Sequence, residues 1–224
     1  LKYFVIKLCE NYTKLVSGDQ NMEIKSGSRA YSMVYSSMSD EDAKAAKSLY
    51  RNISEVKSKH RFPLTEKREG DRNRIIKHKF GKAEFAAARA AGKAMGFTVN
   101  DIILAAYIRA LYEFGVCRDG EPLTVPCMVD LRRHMKGGGS ETGLTNHTGF
   151  MTVTVDGAGK DMREAMDIVA KAMERNKHDK FLGLYGLPLL NLAYSLFPHF
   201  LAEPVIRLGY DNPLIGMSNI GSIN

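Results

Sequence analysis

Cysteine is scarce in this chain. Its three copies, Cys9, Cys117 and Cys127, are odd in number and far apart, which speaks against a disulfide framework and against the paired spacing of a zinc site. Such usage fits a reducing, cytoplasmic setting. No two of the six histidines are adjacent, so no paired-histidine motif is present. An uninterrupted run of about twenty predominantly apolar residues, the requirement for a membrane-spanning helix, is also missing. The most apolar stretch, residues 181–208, is broken by Pro188, Pro198 and Pro204 and by Asn191, His199, Glu203 and Arg207, and short buried helices are expected there instead. There is no internal repeat and no low-complexity tract.

What is present is enough for a sizeable core. A length of 224 residues with 44% apolar composition predicts one large domain or two small ones. Thirty-two Lys and Arg against twenty-five Asp and Glu give a net charge of +7, a surplus that suits nucleic acid, an anionic membrane or a phosphate-bearing substrate. The basic stretch Arg72, Arg74, Lys77, His78, Lys79 and Lys82 does not favour nucleic acid, because on a strand alternate residues face opposite ways and no aromatic stacking pattern accompanies them.

Along the chain, Phe4, Val5, Leu8, Tyr12 and Leu15 recur at helical spacing and predict a helix over residues 1–16, closed by Gly18. Residues 17–38 read as a loop. Ser39, Asp40, Glu41 and Asp42 then place a cap and negative charge at the start of a helix running toward residue 56. The charged connector at 63–71 is the expected boundary between two units, 1–70 and 71–224. A strand is expected at 74–80, an alanine-rich helix at 83–95 ended by Gly96, and a second helix from Thr98, with Asp101 at capping-box spacing. That helix is apolar nearly all round, which predicts cover on both faces. Strands follow at 123–130, where Pro126 favours an edge or bulged position, and at 149–155, then an amphipathic helix at 160–177 and a last short strand at 213–217. Strands separated by helices make the expected fold class α/β, a layered sandwich.

Four stretches carry more than periodicity: Thr98-Val-Asn-Asp-Ile-Ile-Leu-Ala-Ala106, Val125-Pro-Cys-Met-Val-Asp-Leu-Arg-Arg133, Thr145-Asn-His-Thr-Gly-Phe150 and Met217-Ser-Asn-Ile-Gly221. In this order they resemble segments of the condensation-domain and chloramphenicol-acetyltransferase-like acyltransferases. The resemblance implies two related α/β subdomains with a substrate tunnel between them, of which this chain holds the end of the first (1–70) and most of the second (71–224, incomplete at its C-terminus). The family's catalytic His-His-x-x-x-Asp-Gly does not occur here. The helix that follows it in the family has apolar or aromatic residues matching Phe4, Leu8 and Tyr12, so the general-base histidine is expected upstream of Leu1, and the chain alone is expected to be inactive.

The resemblance also distributes roles. Asn100 and Asp101 cap and position their helix beside the tunnel, or mark a plain helix start. Asp130 and Arg132 form a structural ion pair that orders the turn after the strand. Arg133, Lys136 and Gly137, Gly138 and Gly139 make either a loop facing a phosphate or plain flexible chain. Asn146 and Gly149 match the segment that leads into the crossing strand, and Ser218 or Asn219 donates to the tetrahedral intermediate or shapes a turn. His147 is an addition to the pattern. Like His60, His78, His134, His178 and His199, it is read as a surface or packing residue.

The implied activity is transfer of an acyl group from a coenzyme A or phosphopantetheine thioester to an alcohol or amine. Departures from the carrier-dependent pattern incline the reading toward an alcohol-acetyltransferase-like enzyme. No metal is implied. The partners are a small acyl acceptor and, where the donor is carrier-bound, an acyl or peptidyl carrier protein, to whose acidic groups or phosphates the basic surplus is suited. The alternative is a non-catalytic module that binds a pantetheine-bearing partner.

Overall fold

The computed structural model describes residues 2–21, 27–28, 30, 32–48, 75–135, 143, 145–184, 196, 198, 200–201, 204 and 215–219. The expected connector and boundary at 63–71, the continuation of the helix past 48, the glycines at 137–139 and most of 181–214 lie outside the described residues.

Three helices precede the core: α1 (Lys2–Val16), α2 (Ser32–Tyr35), which interrupts the expected loop, and α3 (Asp40–Ser48). After them come α4 (Lys82–Ala94), α5 (Val99–Glu113), strand β1 (Leu123–Asp130), a 3-10 turn (Leu131–His134), strand β2 (Thr148–Val155) and α6 (Met162–Lys177). Local chemistry sets the helix starts. The Thr98 hydroxyl accepts from the Asp101 amide at 3.2 Å, while Asp101 Oδ2 accepts from the Thr98 amide at 2.8 Å, a reciprocal cap on α5. Asp161 accepts from the Glu164 amide at 2.9 Å and starts α6.

β1 and β2 pair antiparallel in continuous register from Leu123 opposite Val155 to Asp130 opposite Thr148. The side chains of Leu123, Val125, Cys127 and Val129 on β1 and Val153 and Val155 on β2 are buried. All of these but Val129 meet Leu104, Ala105, Ile108 and Leu111 of α5 and Ala165, Met166, Val169 and Met173 of α6 in one hydrophobic cluster. Helices packed on a small sheet are α/β in the general sense. α5 is not covered on both faces among the described residues, since Ile103 remains 43% exposed. The 3.6-residue period puts Leu104, Ile108 and Leu111 on one side and turns Ile103 away from them.

Met217 forms a parallel bridge with Cys127: its amide donates to the Pro126 carbonyl at 2.9 Å and its carbonyl accepts from the Met128 amide at 3.1 Å. Among the described residues the sheet is otherwise two-stranded, so β1 is an edge strand apart from this single bridge, and Pro126 holds the edge position expected of it, without a bulge. Alternate amides of a strand point to opposite edges. The Met128 amide faces Met217, so the missing donor of Pro126 falls on that same edge, where it removes the next bond of the ladder.

Residues 75–80 lie in no sheet, contrary to the strand expected there, with Ile75 and Ile76 97% and 94% exposed. These two are adjacent in sequence, so on a strand they would face opposite sides, and neither side is covered. A second, smaller cluster joins Val34 of α2 and Ala46 of α3 to Leu131, Met135 and Leu184. Lys180 ties α3 to the same region through Asp42 at 2.6 Å. No single helix among the described residues is long and apolar enough to cross a membrane.

Candidate functional site at the end of the central strand

The polar residues to which the resemblance gives a role at the site, Asn100, Asp101, Asp130, Arg132, Asn146, Ser218 and Asn219, lie at or near the C-terminal end of β1, in two groups separated by that strand. The first group grows from the strand's last residue. The Asp130 carboxylate accepts from the backbone amide of Arg132 at 3.1 Å and from its guanidinium at 3.3 Å, capping the 3-10 turn. Arg132 is only 8% exposed. Its other terminal nitrogen donates to the Thr145 carbonyl, and the ring of Tyr3 lies 4.7 Å from the guanidinium. A buried arginine needs such partners, because an unpaired cation removed from water is costly. Arg133, next along, is exposed.

Thr145 leads into Asn146, His147 and β2. Asn146 is exposed and its side-chain oxygen accepts from the Thr148 hydroxyl. Gly149 sits opposite Val129 and under the backbone of Gly183, an approach that leaves no room for a side chain. His147 is packed rather than at the surface, the second of the two places expected of it. Its ring is fully buried, and neither nitrogen has a hydrogen-bond partner. Burial and then the neighbouring Arg132 hold its pKa below the ordinary imidazole value, while the Ser28 backbone and Asp130 pull weakly the other way. No sequence signal separates this histidine from the other five.

The second group lies on the opposite edge of β1. Ser218 and Asn219 continue from Met217 and are exposed. The Asn219 amide donates to Asn100 Oδ1, so the chain end of the parallel bridge is fastened to the first turn of α5. Asp101, fully buried, also accepts from Lys177 Nζ at 3.3 Å. With neighbouring strands about 4.8 Å apart, the two groups stand on the order of 10 Å from one another across β1.

Between them the groups provide amide and hydroxyl donors at Asn146, Ser218 and Asn219 and cationic charge at Arg132, Arg133 and Lys177. They do not bring a histidine base into contact with Ser218 or Asn219. His134 Nε2 is engaged with the Leu182 carbonyl at 2.8 Å, and His147 is sealed. His178, the C-cap of α6, is exposed one residue beyond Lys177. Among the described residues no three His, Cys, Asp or Glu side chains converge as a metal set. A depression of about 470 Å³ lies at the other end of the sheet, between Tyr112, Asp119, Gly159, Lys160 and Glu164. None of the sequence-selected residues lines it.

No protein-family model, curated protein or solved structure matches the chain.

Proposed function

We propose that this chain forms one wall of the acyl-transfer site of a condensation-domain or chloramphenicol-acetyltransferase-like enzyme. The observation that supports the reading is a coincidence of order and place. Four segments that follow the family's order in sequence end together: Asp130 and Arg132 close β1, Asn146 and Gly149 enter β2 beside them, and Ser218 and Asn219 meet Asn100 along the other edge.

In this reading Ser218 and Asn219 supply donors to the oxyanion that develops on a thioester carbonyl, and Asn100 holds Asn219 in place. Asp101 and the Asp130–Arg132 pair position the helix and turn that carry these groups. Removal of the acceptor's proton is assigned to the histidine that the resemblance places ahead of Leu1. The donor is a coenzyme A or phosphopantetheine thioester, whose phosphates suit the +7 chain, and the acceptor is a small alcohol or amine. A carrier protein is the partner where the pantetheine is protein-bound. Three free cysteines, two of them buried, support a cytoplasmic setting.

Acetyl-CoA titrated into the protein tests this. Amide exchange should slow at 145–149 and 215–219. No change there, or protection confined to the depression around Tyr112 and Gly159, would remove the reading. Protection without transfer to any alcohol or amine, in protein that carries the expected His-His-x-x-x-Asp-Gly segment, would favour the non-catalytic module.

A further inference from the structure

The buried imidazole of His147 has no part in the reading above. Its ring is 0% exposed and neither nitrogen finds a hydrogen-bond partner. Its own backbone carbonyl accepts from the Leu131 amide at 2.9 Å, holding the turn after β1 against the entry to β2. The charged groups acting on the ring are Arg132 and Asp130, both from that turn, and the Ser28 backbone approaches from the segment ahead of α2 without reaching hydrogen-bonding geometry. Arg132 in turn carries Tyr3 of α1. One unbonded ring thus sits where the turn, the start of β2 and the residues leading to α2 meet.

We propose that His147 is a proton-sensitive latch: neutral, it lets this corner close, and protonated, it opens the corner and frees the Tyr3 contact. Neutral imidazole leaves one donor and one acceptor unpaired, a tolerable cost. Imidazolium would place a second cation beside buried Arg132 with no carboxylate bonded to it, a much larger one. Asp130 offsets this only in part, because its Oδ1 is bonded to Arg132 and its pull on the ring is outweighed by burial and by Arg132.

The sign follows from linkage. A base whose proton is bound more weakly in the closed state than in the open one favours closure fully above its ordinary pKa near 6.5 and progressively loses that contribution as pH falls below it. Between pH 7.5 and 5.5 the closed corner should lose population relative to the open one, by at most about tenfold.

Hydrogen exchange of the Leu131 amide, corrected for intrinsic rate, reads this directly. The expected result is a loss of protection between pH 7.5 and 5.5, of up to about tenfold, with the amides of α5 and α6 unchanged. The step should vanish in His147→Phe and persist in His134→Gln, whose imidazole already has a carbonyl to receive its proton. A step that survives in His147→Phe, or none in the wild type, overturns the proposal. Should His147→Phe fail to fold, the ring titration in wild-type protein decides: a midpoint below 6.5 that tracks the exchange step supports the latch, and an ordinary midpoint overturns it.

Discussion

The backbone of Gly183 crosses Gly149 so closely that a side-chain carbon at Gly149 would strike the Gly183 carbonyl oxygen and lie 2.8 Å from both its carbonyl carbon and Leu131 Cδ2. Glycine at 149 therefore has a steric reason: it is where the chain after α6 passes over the junction of β1 and β2.

Gly149→Ala should accordingly destabilise by about 1–3 kcal/mol, the usual range for overpacking against groups that cannot turn aside. Gly216→Ala is the matched comparison, since its nearest contact is the Pro126 carbonyl oxygen at an ordinary 3.6 Å. It should stay within about 0.5 kcal/mol of the parent. Urea unfolding midpoints check both, and equal midpoints would mean that the segment at 183 moves away without cost.

The cap of α5 was legible in the sequence and its partners were not. Thr98 and Asp101 are three residues apart, and helix geometry alone brings a side chain at that spacing back to the first amide. The pairing of β1 with β2 was half legible, through alternation. Asn219 on Asn100 and Lys177 on Asp101 depend on how the chain reverses, which no local period encodes. The strand expected at 74–80 does not form over 75–80, where no described strand pairs with the chain. Pro126 was legible as an edge residue: its missing donor falls on the side of β1 away from β2, next to the isolated bridge made by Met217.

Removing Asp101 should cost more than removing its cation. Asp101 is fully buried and its Oδ2 serves the Thr98 amide, the Thr98 hydroxyl and Lys177, whereas the Lys177 side chain is 40% exposed. Asp101→Ala is expected to destabilise by about 1–3 kcal/mol through loss of the cap's acceptor. Lys177→Met should cost no more than ~1 kcal/mol, as for an ion pair with one partner in solvent. Thermal unfolding of the two variants separates them, and equal losses would show that the ion pair, not the cap, dominates.

Acid should weaken the start of α6. The Asp161 carboxyl is held below its ordinary value chiefly by the Glu164 backbone amide, aided by the Arg163 amide, Lys160 and Arg109 and opposed by partial burial. A carboxyl with a depressed folded pKa contributes stability that is complete above the unfolded value and is lost as pH falls through the folded one. Asp161→Asn keeps an acceptor for the cap but removes the titration. Its melting temperature should lie below that of the parent at pH 7, and the gap should close once the pH drops well below 3.8. A gap that is constant with pH would mean that the charge contributes nothing.

The thiols offer a test of the core itself. Alkylation proceeds through the thiolate, so a thiol reacts in proportion to its exposure and its ionised fraction. Cys9 is exposed on α1, whereas Cys117 and Cys127 are 5% and 2% exposed. Burial raises both inner thiols, and that of Cys127 is pushed up to about 11. At pH 8 only about one Cys127 in a thousand would then be ionised, even before steric exclusion is counted. Iodoacetamide should therefore add one carbamidomethyl group to the native protein, at Cys9, and the other two only in denaturant, which intact mass and peptide mapping would resolve. Rapid native labelling of Cys127 would mean that the face of β1 turned toward α5 and α6 stands open, and the hydrophobic cluster described above would not hold.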